Sequence, residues 1–145
     1  MMNTVFLCRR GVFTLRAALA IICLAFWGAV GNNAYGQTTW TAPASANSYK
    51  NPYKGNANAT AEGKTLYKQF CTICHGDKGK GDGLAGMTLK PRPANFTNKP
   101  VQAQTDGAIY WKITEGRPPM APYKAALTEQ QRWQLVNYIR QLGGK

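Results

Sequence analysis

Five consecutive residues hold most of the chemistry this chain can offer: Cys71, Thr72, Ile73, Cys74 and His75. Two thiols three positions apart sit about one helical turn apart, and an imidazole follows directly. His75 is the only histidine in the chain. A structural zinc site needs four nitrogen or sulfur ligands. Once an N-terminal leader carrying Cys8 and Cys23 is removed, only Cys71, Cys74 and His75 remain to supply them. A redox-active dithiol belongs in a βαβ setting, and no strand-like alternation surrounds this one. A disulfide closing so short a loop stabilises little. The spacing instead suits addition of both thiols across the two vinyl groups of a porphyrin, with His75 as proximal ligand to its iron.

Porphyrin iron with one histidine keeps a second axial position open, and outside the leader the thioethers are Met87 and Met120. Met120 stands in Gly116-Arg117-Pro118-Pro119-Met120-Ala121-Pro122. Proline fixes φ and restricts the residue before it, so this loop is stiff and presents its methionine in a set direction. A weak thioether ligand needs such stiffness to stay in place between redox states. Met87 follows a glycine-rich run with no comparable support, and gap-filling in the core is the ordinary use of either side chain. Met120 is the expected distal ligand.

The elements that must position these groups begin after a leader. Arg9, Arg10 and Arg16 precede an apolar run of 14 residues, Ala17 to Val30, and a polar stretch from Gly31 to Gln37 in which Ala34 and Gly36 suit a cut after Gly36. A positive region, a short apolar region and a small-residue cleavage site predict a signal peptide over 1–36. The run is short of the ~20 residues that span a bilayer. The formal charge of +12 falls to about +9 with the three leader arginines gone, 15 basic residues against 6 acids. Such charge raises nucleic acid as a partner. Export and the scattered spacing of the charges argue against it and favour an anionic protein surface or the membrane face. Residues 37–58 are rich in Ala, Asn, Ser and Thr, without acids or apolar period, which predicts a flexible polar linker.

Residues 59–145 read as one all-α domain of three to four short helices with long loops. Thr60 is placed to cap a helix whose face carries Leu66, Phe70 and Ile73. Gly76 to Gly86 reads as loop, and the proline-bearing stretch from Leu89 to Pro100 as irregular. A second helix is expected from Asp106 to Glu115, capped by Asp106 and stopped by Gly116. Thr128 and Gln131 form a capping-box signature for a last helix closed by Gly143, with Trp133, Val136, Ile139 and Leu142 on its apolar stripe. So few large aliphatics make a thin core for a domain of this size. A haem would fill its middle.

From about Thr60 to Leu142 the chain resembles a class I, mono-haem cytochrome c of bacterial type. Gly63 and Tyr67 fall where that family's first helix has its glycine and aromatic. Leu135 and Tyr138 match the leucine and aromatic of its last helix, which pack across Gly63. Pro91 or Pro93 resembles the proline whose carbonyl accepts the second imidazole N–H of the proximal histidine. Tyr110, Trp111 and Arg117 are candidates for contact with the haem or its propionates, with core packing equally open to Trp111. The resemblance implies one covalent haem c with iron on Cys71, Cys74, His75 and Met120. It also implies a periplasmic electron carrier, not an enzyme, that meets redox partners through acidic docking surfaces. A cytochrome subunit of a larger oxidoreductase, and a sensor with an open distal site, are the alternatives.

Overall fold

The computed structural model describes residues 40–144. The leader read over 1–36 lies outside the described residues. Helix α1 spans Ala57–Phe70, α2 Thr72–His75, α3 Lys99–Gln102, α4 Asp106–Glu115 and α5 Glu129–Leu142. Short 3₁₀ turns lie at Ala44–Ser48 and Gly86–Thr88. No β-strand occurs among the described residues; there is an isolated bridge between Arg117 and Met120. The all-α expectation holds, with single-turn helices α2 and α3 added to the three longer ones.

Local chemistry explains the boundaries. The side chain of Asn56 accepts from the Ala59 N–H, so α1 starts before Thr60, whose hydroxyl instead donates to the Asn56 carbonyl at 2.9 Å. Helix α4 has the expected span, but its cap is Thr105, which accepts from Ala108 N–H at 3.1 Å. Asp106 is its first helical residue, where a carboxylate favours the positive end of the helix dipole. The capping box of α5 forms in both directions, Gln131 N–H to Thr128 at 3.2 Å and Thr128 N–H to Gln131 at 2.8 Å.

Helices α1 and α5 pack on each other, and the crossing rests on Gly63. A Cβ there would run into the backbone carbonyl of Gln134 and press on the Cβ of Tyr138. Tyr67, Leu135 and Val136 are the largest fully buried side chains at this junction. Tyr110 stacks on Trp133 with ring centroids 4.0 Å apart, which joins α4 to α5.

The segment read as a flexible linker is a correction. From Trp40 on it is folded against the domain: Ala46 is wholly buried and lies over Gly107 of α4, where a Cβ would strike its carbonyl. Thr105 donates to Asn47 at 2.8 Å, and Asn51 donates to Asn137 at 2.8 Å and to Asp106 at 3.4 Å. The segment lacks an apolar period because it is anchored by polar side chains and one small buried residue rather than by a stripe.

Replacing an exposed helical glycine by alanine gains about 1 kcal/mol of helix propensity. Gly63→Ala should show the opposite sign, since overpacking costs typically about 1–3 kcal/mol. A lowered thermal midpoint is expected; an unchanged or raised one would mean the α1–α5 crossing has room to spare.

Candidate functional site

The pentapeptide sits where α1 ends and the chain tightens into α2. The N–H groups of Cys74 and His75 both donate to the Cys71 carbonyl, at 3.2 and 2.8 Å, which puts the two thiols on one turn. The loop that follows satisfies the carbonyls of this turn: Gly81 N–H donates to His75 at 2.8 Å and Ala85 N–H to Ile73 at 3.0 Å. Tyr67, buried in the α1–α5 junction, donates its hydroxyl to the Gly76 carbonyl at 2.7 Å. A buried carbonyl left unpaired would cost about 1–3 kcal/mol, so each of these bonds holds the pentapeptide in its conformation.

The ring of His75 is fixed from two sides. Its Nδ1 lies 3.1 Å from the carbonyl oxygen of Ala94, and its face stacks on Phe96 with centroids 4.3 Å apart. The carbonyl partner is therefore Ala94, next to Pro93, and neither Pro91 nor Pro93 itself. With Nδ1 as the N–H donor, Nε2 is the nitrogen left to bind a metal. Burial holds the imidazole pKa below its usual value, opposed by the Ala94 carbonyl, and so favours the neutral ligating form. Burial, with Cys74 beside it, pushes the Cys71 thiol up to about 12. Neither cysteine is in a disulfide.

Met120 stands on a tight turn after α4. Arg117 and Met120 exchange both backbone bonds, at 3.0 and 2.8 Å, with Pro118 and Pro119 between them. Gly116 enters the turn at φ +63, a conformation that strains any side chain, and a Cβ there would meet the backbone of Ala121 and Pro122. Beyond the turn, Tyr123 and Lys124 N–H donate to Ile113 and Thr114 of α4 at 3.0 and 3.2 Å. Buried Arg132 of α5 donates to the carbonyls of Lys124 and Leu127. Tyr123 then ties this loop to the pentapeptide: its hydroxyl donates to the Phe70 carbonyl at 3.0 Å, one residue before Cys71. Burial, and then the two nearby thiols, raise its pKa.

Met87 is 49% exposed on a 3₁₀ turn that packs on the pentapeptide through Gly86. Ile73 and Leu84 are also exposed, so apolar surface gathers along the pentapeptide and its following loop. Tyr110 is committed to Trp133 and to Arg132, whose guanidinium donates to its hydroxyl at 2.8 Å. Trp111 and Arg117 both contact Trp40. Two free thiols on one turn, a neutral imidazole with Nε2 available and adjoining apolar surface fit a covalently attached haem. Tyr123, Ala94 and Phe96 were not picked out from the sequence as parts of this site.

The sequence of residues 60–143 matches the family model described as Cytochrome c. The chain belongs to the cytochrome c family. Membership brings a covalently bound haem c with its iron, and electron transfer as the activity. Cytochrome c-554(547) of Halothiobacillus neapolitanus is 34% identical over 95 residues, which cover 59% of this chain and 99% of that protein. The cbb3-type cytochrome c oxidase subunit CcoP of Azospirillum brasilense is 29% identical over 90 residues, 61% of this chain, and the match spans only 30% of CcoP. Among solved structures, the Kuenenia stuttgartiensis reducing HAO-like protein complex contains a chain 36% identical. That match covers 56% of this chain and 41% of the other, with a TM-score of 0.49.

Tyr123→Phe keeps the ring against Phe70 and removes only the hydrogen bond. A loss of about 0.5–1.5 kcal/mol is expected, read from urea unfolding of the cytochrome. No loss would mean that ring packing alone joins the Met120 loop to the pentapeptide.

Proposed function

We propose that this cytochrome carries single electrons in the periplasm, with its iron held by His75 on one side and Met120 on the other. The observation that carries this reading is the bracing of Met120. Its turn is closed by Arg117, anchored to α4 through Tyr123 and Lys124, and tied to Phe70 beside the first thiol. Met87 sits on a short 3₁₀ turn bonded to Ile73 through Ala85, but its side chain is 49% exposed and no proline stiffens its turn.

When bound, the haem supplies a one-electron iron couple, and His/Met ligation raises its potential relative to bis-histidine. The chain's own groups do the rest. Cys71 and Cys74 supply the two thiols for covalent attachment. The Ala94 carbonyl and Phe96 fix the plane and tautomer of His75, so that Nε2 need not reorient between redox states. The proline-stiffened turn holds the Met120 thioether against displacement by water or small ligands. A filled distal position leaves no room for substrate, which favours a carrier over a catalyst.

The 15 basic residues against 6 acids that remain without the leader favour redox partners with acidic docking surfaces. Lys78 and Lys80 are exposed in the loop after His75. No described helix is long and apolar enough to cross a membrane; contact with the membrane face, without spanning, is compatible with the basic balance. Function as one subunit of a larger oxidoreductase is the second reading, favoured by the match to a segment of CcoP. A subunit would co-purify with its complex.

The test is the oxidised optical spectrum of the protein and of two variants. Met120→Ala should lose the weak sulfur-to-iron band, and its reduced form should bind carbon monoxide readily; Met87→Ala should keep the band. The reverse pattern would move the distal ligand to Met87, and a wild type lacking the band would favour the sensor with an open site.

A further inference from the structure

Trp40 meets the loop that carries Met120 through Arg117. Trp40, half-buried, lies 6.4 Å between ring centroids from Trp111 of α4, with the two planes tilted by 59°. Two cations converge on its indole: Lys112 Nζ at 5.4 Å and Arg117 Cζ at 5.2 Å from the ring centroid. Lys112 is itself pinned, donating to the Gln104 side chain at 2.6 Å. Two like charges so close repel one another. The electron-rich face of an indole offsets that repulsion and holds both in place.

Arg117 is also the residue that closes the Met120 turn through both backbone bonds. Its guanidinium and its backbone therefore link two things distant in sequence, the indole of Trp40 and the thioether-bearing turn. The segment behind Trp40 is not loose, because Ala46 is buried over α4 and Asn47 and Asn51 are bonded to Thr105, Asp106 and Asn137.

We propose that Trp40 is a positioning residue for the distal ligand: packed on Trp111 and facing Arg117, it holds the turn that presents Met120. This inference rests on the reading of Met120 as the iron's distal ligand. Trp40 does not touch the iron; it acts through Arg117.

The experiment uses the full, haem-bearing protein and carbon monoxide as the probe, because carbon monoxide enters the reduced site only when the thioether leaves. Trp40→Ala should bind carbon monoxide about threefold to tenfold faster than wild type, as expected from the loss of two cation–π contacts. Trp40→Phe retains an aromatic face and should stay within about twofold of wild type. Asn51→Ala removes the bonds to Asp106 and Asn137, away from Trp40 and Arg117; it should lower the thermal midpoint without changing the carbon monoxide rate. That contrast separates positioning from general destabilisation. If Trp40→Ala binds at the wild-type rate while Met120→Ala binds fast, the role of Trp40 is overturned and the ligand assignment stands. A rate raised equally in Trp40→Ala and Asn51→Ala would overturn it too, as a mere stability effect. If Met120→Ala keeps both the sulfur-to-iron band and the wild-type rate, the ligand reading fails and takes this inference with it.

Discussion

The imidazole of His75 has one nitrogen committed to the Ala94 carbonyl and one face committed to Phe96, and the site's chemistry follows from that double commitment. An imidazole can bind metal through either nitrogen; giving Nδ1 to a backbone acceptor leaves Nε2. Burial keeps the ring neutral, and the thiols of Cys71 and Cys74 sit on the same turn of chain. The surrounding loop satisfies the backbone of that turn, with Gly81, Ala85 and the Tyr67 hydroxyl each bonded to a carbonyl within or just after it. The pentapeptide is thus built as a rigid unit at the end of α1.

In the Met120 segment, rigidity is achieved differently. The pentapeptide relies on a helical turn, whereas the Met120 segment relies on prolines, a left-handed glycine and bonds to three separate elements. Helix α4 receives its backbone, α5 holds its exit through Arg132, and Tyr123 reaches to the last residue of α1. A loop with so many fixed ends is suited to hold a weak ligand, because the cost of letting go is shared with the core. The packed α1–α5 crossing is what keeps these attachments in register, and Gly63 is what lets the crossing close.

How much of this could be read in the sequence depended on whether the signal lay in side chains. The Thr128–Gln131 capping box, the 106–115 helix and the thiol–imidazole run are side-chain patterns and were legible. Helix caps were harder, since Asn56 and Thr105 compete with neighbouring residues of equal propensity, Thr60 and Asp106. The acceptor for His75 is a backbone carbonyl, which every residue has, so the nearby prolines drew attention away from Ala94. The segment from Trp40 to Asn58 was misread because polar composition usually means disorder. Here asparagine side chains, one buried alanine and the aromatic and cation–π contacts of Trp40 do the anchoring. Tyr123 carried no pattern at all; its role exists only once the fold brings it to Phe70.

The most direct test of the central claim is a crystal structure of the haem-bearing protein with anomalous data at the iron edge. The account predicts an iron peak at bonding distance from His75 Nε2, thioether bonds from Cys71 and Cys74, and Nδ1 still on the Ala94 carbonyl. An iron bound through another residue, or a Cys71–Cys74 disulfide with His75 turned away from the metal, would contradict it.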